Sequence, residues 1–175
     1  MNIPGPLARL IARARQQQSV LRFCLLFGVY SVVAFTVLYG LQDQVVEPFT
    51  RGIAWITYKL MRAFGTPVSL NGVTLSVPNF SVLIRNNCNA AYEMGLYTAA
   101  TLAYPAPLIR RTSGILFAVV VLYVVNLIRV MSLVYMGYLF PGFFDAAHVY
   151  VWQVLFLVAV AALWLSWISR VRPVA

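Results

Sequence analysis

Apolar residues dominate from about Ser19 to Gly40, a run long enough to cross a hydrocarbon layer of about 30 Å as a helix, and it follows a polar segment carrying Arg9, Arg13, Arg15 and a QQQ tract. Residues 45–64 are patterned differently. Arg51, Lys59 and Arg62 recur on one helical side, with Ile53, Ile56, Leu60 and Phe64 on the other, which predicts an amphipathic helix along the membrane interface. From 68 to 85 the period falls to two: VSLNGVTLSV alternates around Asn71-Gly72, and Phe80, Val82 and Ile84 continue the alternation. This predicts a small β-hairpin with a type I′ turn, outside the bilayer because open strand edges cannot be left in lipid. Helix-length apolar runs return at 88–104, which is short and broken by Pro105 and Pro107, at 113–138, and at 147–169 after a PGFFD turn. The expected fold class is therefore an all-α polytopic membrane protein with about four transmembrane helices, an interfacial amphipathic helix and a small extracytoplasmic β-hairpin. It forms a single integral membrane domain over residues 1–175.

Composition sharpens this picture. With 62% hydrophobic and only 10% charged residues, the chain cannot cover a soluble surface. The first apolar run has no small-residue cleavage site at its end, so it is expected to stay attached rather than act as a signal peptide. A net charge of +9 would suggest nucleic acid in a soluble protein, but the arginines cluster at the ends of apolar runs, as topology determinants do. No nucleic acid partner is expected. If residues 45–64 do not span, Arg9, Arg13, Arg15, Arg22, Arg110, Arg111, Arg170 and Arg172 all fall on the cytoplasmic side. Only Arg51, Lys59, Arg62 and Arg85 fall outside. Both termini are then cytoplasmic.

That topology, drawn without reference to chemistry, places Cys88 at the outer start of the second span and His148 at the outer start of the fourth. Arg129 lies nine residues before the outer end of the third span, about 13 Å deep at 1.5 Å per residue. A thiol following Asn86-Asn87, both good N-cap residues, is expected near helix N-terminal amides that favour thiolate. His148 is the only histidine and can exchange a proton with the thiol and with a leaving amine, and Asp145 can orient its ring or cap the helix. An intramembrane arginine is costly unless it faces a polar cavity; Arg129 can pair with a thiolate, stabilise an oxyanion or hold a carboxylate. Asn126, three residues earlier, shares its helix face. Asn89 and Glu93 are supporting candidates, with Glu93 read as on a different face from Cys88. Cys24 is read as a small apolar filler across the membrane from Cys88, so no disulfide joins them. With one histidine and separated acids, no metal site is expected, and no cofactor. Tyr150, Trp152, Trp164 and Trp167 read as interfacial belt residues.

The segments NNCNAAYE, NLIRVMSLVYMG and FDAAHVYVWQ, in this order and separated by spans, resemble the exosortase/archaeosortase family, particularly short bacterial members of the exosortase H kind. The resemblance covers about residues 20–170 and is most specific between 86 and 153. It implies a Cys, Arg and His triad at the outer ends of membrane helices, matched by Cys88, Arg129 and His148, with Asn126 matching as well. The family's cysteine is commonly followed two positions on by glycine, where Ala90 stands here. The implied activity is that of a cysteine transpeptidase in the bacterial inner membrane with its active site facing the periplasm. It would act on exported proteins with a C-terminal sorting signal of the PEP-CTERM kind, made of a short motif, one transmembrane helix and a basic tail. Cys88 would release the signal helix and hold the remainder as a thioester until a second nucleophile, such as an amine on a membrane lipid, resolves it. Two other readings fit the residues: a membrane cysteine protease with water as acceptor, and a non-enzymatic assembly factor or small transporter in which Arg129, Glu93 and His148 line a pathway.

Overall fold

The computed structural model describes residues 6–171. Arg172 lies outside them, as do the side chains of Arg9, Arg13 and Arg15. The long helix α1 (Pro6–Gly40) runs into a wide π-type turn (Gln42–Val46) and then α2 (Glu47–Ala63), where Pro48 in the first turn forfeits no helical hydrogen bond. Three short strands follow, β1 (Ser69–Asn71), β2 (Thr74–Val77) and β3 (Phe80–Leu83), then a 3-10 turn (Asn86–Cys88) and α3 (Ala91–Ala103). An extended segment through Pro105 and Pro107 leads to α4 (Leu108–Leu139). A 3-10 turn (Pro141–Phe143), a short α5 (Phe144–Ala146) and a second π-type turn (Ala147–Val151) lead into α6 (Trp152–Ile168).

Among the described residues three stretches are long and apolar enough to cross a membrane, Gln17–Gly40, Leu108–Leu139 and Pro141–Ile168. The expected span at 88–104 is shorter than the sequence pattern suggested. Its helix starts only at Ala91 and has 13 residues, a length of about 20 Å. Asn86–Cys88 form a 3-10 turn instead, and Tyr104, facing Pro105, turns extended with ψ 135° as the residue before a proline must. Even so, α3 and the extended segment together run the length of the bundle, antiparallel to α1. Phe35 meets Tyr92 edge-on at 5.8 Å near one end, and Ser19, Val20 and Phe23 share a cavity with Tyr104 and Pro105 near the other. Trp167 on α6 donates to the Arg110 carbonyl (3.2 Å) at that second end. The bundle thus has one end bearing Arg22, Arg110, Arg111 and Arg170, and one bearing Cys88, His148 and the sheet.

The sheet is a three-stranded antiparallel meander in the order β1-β2-β3, one strand more than the expected hairpin. Pro78-Asn79 makes the extra turn, with Asn79 in the left-handed conformation (φ 63°) that asparagine tolerates. The first turn is displaced by one residue from the expectation. Asn71 pairs with Thr74, so Gly72 and Val73 are its central residues, and only Gly72 takes a positive φ (61°). That is the pattern of a turn with glycine first, not of type I′.

One apolar core lies between α2, the sheet and the last turns of α4, built on Ile53, Met61, Leu75, Ile84 and Val134. The side of α2 that packs there is Thr50, Ile53, Ala54, Thr57 and Met61. Leu60 and Phe64, expected on the apolar face, point out instead: the helix turns Thr50 toward the turn before α3. A second core joins α3, α4 and α6 through Met94, Tyr97, Leu122 and Phe156. The two cores meet at Phe49 and Tyr123, whose rings lie 5.6 Å apart, and the sheet seats on α4 at Gly137, where the ring of Phe80 occupies the space a β-carbon would fill. Gly137→Ala should therefore push Phe80 out of place and cost about 1–3 kcal/mol. The check is the thermal unfolding midpoint of the detergent-solubilised protein; an unchanged midpoint would show that Phe80 does not need this seat.

Candidate active site

Cys88 is placed by a turn rather than by a helix. Asn86–Cys88 form the 3-10 turn, Cys88 N–H donates to the Arg85 carbonyl (2.8 Å), and Asn89 Oδ1 accepts from the Ala91 N–H (2.9 Å) at the start of α3. Asn89 is thus the side chain that caps the helix, a role the sequence pattern assigns to Asn86 and Asn87. Cys88 stands before the first turn of α3 and not in it, so helix-dipole activation of the thiol gets less support than the sequence suggested.

What fixes the turn is a buried polar knot with α2. Asn89 is fully buried, and its Nδ2 donates to Thr50 Oγ1 (2.8 Å) and reaches the Val46 carbonyl (3.4 Å). The Thr50 hydroxyl donates back to the Val46 carbonyl (2.8 Å) and lies 2.9 Å from the side-chain amide of Asn86. A buried amide that finds all these partners holds its loop in one geometry.

Facing the thiol, His148 arrives on the π-type turn after α5, and Cys88 Sγ lies 3.3 Å from its Nε2. The imidazole is supported from behind by Phe144, stacked at 5.8 Å with an interplanar angle of 18°. Phe144 in turn meets Phe80 of β3 edge-on at 5.0 Å. Asp145 is exposed, and among the described residues it neither bonds the ring nor caps α5. Its charge acts on His148 only through space.

Arg129 is 2% exposed, lies on α4 and reaches the same cavity. Its guanidinium sits 5.6 Å over the ring of Phe156, while Nη1 has no partner. Both amide atoms of Asn126, one turn earlier and fully buried, are likewise unpartnered. Arg129 is close enough for its charge to act on both Cys88 and His148; burial nevertheless pushes the Cys88 thiol above its ordinary pKa, and the Arg129 cation, which favours a thiolate, offsets that only in part. The cavity, about 370 Å³, is walled by Ser81–Arg85 of the sheet, by Cys88, by Arg129, Val130 and Leu133 of α4, and by Phe144 and His148. Glu93, in the first turn of α3, is not part of that wall. It is within electrostatic reach of Cys88 and Arg129. Cys24 sits exposed on α1, and both cysteines are unpaired.

The structure therefore brings Cys88, His148 and Arg129 around one cavity, backs them with Asn89 and Asn126, and leaves Asp145 and Glu93 at its margin. Thr50, Arg85 and Phe144 were not singled out by sequence, and Asn86 was read only as a helix cap. A threonine on the apolar face of an amphipathic helix is a faint signal of a buried polar contact. Arg85, next to the strand end and acting on both Cys88 and His148, gives none.

The family model described as transmembrane exosortase matches residues 7–170. The chain belongs to the transmembrane exosortase family. No curated protein and no solved structure matches it. Membership suggests a membrane transpeptidase role. It also gives meaning to Ala90, which takes a left-handed conformation (φ 65°, ψ 4°) that glycine, the common exosortase residue there, adopts without penalty. For an alanine this conformation costs roughly 1–2 kcal/mol. Its methyl is fully buried in the α3–α4–α6 core, which offsets part of that cost at about 0.8 kcal/mol per buried carbon. The turn behind Cys88 thus keeps its shape without glycine. Because that shape also depends on the knot with α2, Thr50→Val, which keeps the volume but strands Asn89, should lower stability by about 1–3 kcal/mol. The thermal midpoint in detergent reads this out, and no change would mean that Asn89 finds other partners.

Proposed function

We propose that this exosortase-family chain is a cysteine transpeptidase that cleaves the C-terminal sorting signal of exported proteins through a thioester on Cys88. The observation that carries the reading is the 3.3 Å contact between Cys88 Sγ and His148 Nε2 in the wall of a cavity shared with Arg129. The step balances with these residues alone. His148 takes the thiol proton, and the thiolate sulfur attacks the scissile carbonyl carbon. The oxyanion that forms is stabilised by the Arg129 guanidinium, with the Asn126 amide behind it. As the C–N bond breaks, His148 returns the proton to the departing amine, and the signal helix leaves with a free N-terminus. The thioester is resolved by a second nucleophile, a lipid amine in our reading, whose attack His148 assists by the reverse proton transfer.

In this proposal the membrane is crossed four times, with α3 and its extended continuation making the second passage. The end of the bundle with Arg22, Arg110, Arg111 and Arg170 lies in the cytoplasm of a bacterial inner membrane, as the positive-inside rule prefers, and the cavity opens to the periplasm. A substrate whose signal ends in a basic tail is then held with that tail inside. The segment before its helix is delivered to Cys88.

The test is processing in membranes of a tagged protein with such a signal from the same genome, followed by gel shift and intact mass. Wild-type enzyme should remove the signal, Cys88→Ala should remove none, and His148→Gln should be slower by about 100-fold or more. Full processing by Cys88→Ala would sink the nucleophile assignment and leave the assembly-factor reading. A product carrying only the mass of water would make the enzyme a protease rather than a transpeptidase.

A further inference from the structure

β3 is an edge strand: it pairs with β2 on one side, and among the described residues no strand lies on the other. Ile84 N–H donates to the Val73 carbonyl (3.1 Å), and the register pairs Leu83 with Thr74, Val82 with Leu75 and Ser81 with Ser76. In an antiparallel ladder the hydrogen-bonded positions alternate. Ile84, Val82 and Phe80 therefore turn their backbone groups toward β2, and Ser81 and Leu83 turn theirs away. The Ser81 and Ser76 hydroxyls, 2.9 Å apart, fit the closer spacing of a pair that does not exchange backbone bonds. Among the described residues the outward N–H and C=O groups of Ser81 and Leu83 have no backbone partner.

The cavity with Cys88, Arg129 and His148 lies along this edge. Its wall takes in five consecutive residues, Ser81 to Arg85. Successive side chains in a strand point to opposite faces, so a cavity on one face would touch alternate residues. Contact with every residue means that it follows the strand's margin. From Ser81 to Arg85 that margin is about 13 Å long, enough to pair four or five residues of an extended chain, and it ends three residues before Cys88.

We infer that the free edge of β3 is a strand-addition site, where the substrate's extended segment beside the scissile bond pairs through its backbone with Ser81 and Leu83. The inference rests on the peptidase reading of Cys88 and supplies what that reading lacks, a means of threading a peptide past the thiol. Recognition of this kind uses main-chain hydrogen bonds for affinity and leaves alternate side chains to be read by pockets. The apolar wall of Val130 and Leu133 and the ring of Phe144 face one side of such a strand.

The experiment uses the full-length enzyme in detergent micelles and a synthetic peptide, comprising the segment before the signal helix of a substrate from the same genome and the first turns of that helix. Peptides N-methylated at one amide at a time are compared. The expected result is a two-residue period, in which methylation at alternate amides raises KM about tenfold, the equivalent of one lost hydrogen bond, and the intervening amides change little. On the enzyme, Leu83→Pro removes the outward N–H without breaking the β2 ladder, as proline on an edge permits. It should raise KM about tenfold beyond Leu83→Ala, which keeps the N–H and loses only what the side chain contributes to the cavity wall. Cys88-dependent cleavage that is indifferent to methylation, or equal effects of Leu83→Pro and Leu83→Ala, would overturn strand addition and leave the peptidase reading standing. Absence of any Cys88-dependent cleavage of the unmethylated peptide would sink both.

Discussion

A side-chain amide buried without water must find its hydrogen bonds in the protein, and Asn89 finds them on α2. Its contacts with Thr50, Val46 and the Ala91 N–H tie three elements to one point, one residue from the thiol. Breaking such a network strands a polar group at about 1–3 kcal/mol, a sizeable fraction of the roughly 5–15 kcal/mol net stability of a typical domain. The position of Cys88 is therefore set by a polar constraint inside an apolar protein. That explains why α2 turns Thr50 inward while Leu60 and Phe64 stay outside.

The opposing half of the site is held by a different kind of contact. Among the described residues the His148 ring has no hydrogen-bonding partner other than the thiol, and it leans on Phe144, which leans on Phe80. Aromatic contacts of this sort add about 0.5–1.5 kcal/mol each beyond area burial. They allow small movements that a hydrogen-bonded carboxylate would not. If Cys88 is the nucleophile and His148 its base, the thiol is the more firmly held of the two, which suits a base that would face first the thiol and then a leaving amine.

Much of this was legible in the sequence, for identifiable reasons. Long apolar runs, proline breaks and arginine clusters are local signals, and they located α1, α4, α6 and the interruption after Tyr104. The meeting of Cys88, Arg129 and His148 was legible because topology alone puts the ends of successive helices on one face. The details that depend on partners were not. The third strand hides behind a proline-asparagine pair that reads equally well as a loop. The start of α3 shifts to Ala91 because Asn89 caps it and Ala90 bends left-handed, neither of which periodicity registers.

The pairing of Cys88 with His148 spans 60 residues of chain, and the histidine rides on the segment that opens the last membrane-length helix. A ribosome therefore delivers the thiol to the membrane well before it has made the imidazole. If Cys88 is the nucleophile and His148 its base, the unfinished protein holds the one without the other, and competence arrives only when the final helix is inserted. Quality control is then intrinsic to the order of synthesis: a chain that stalls short of its last helix has no means of cutting its neighbours.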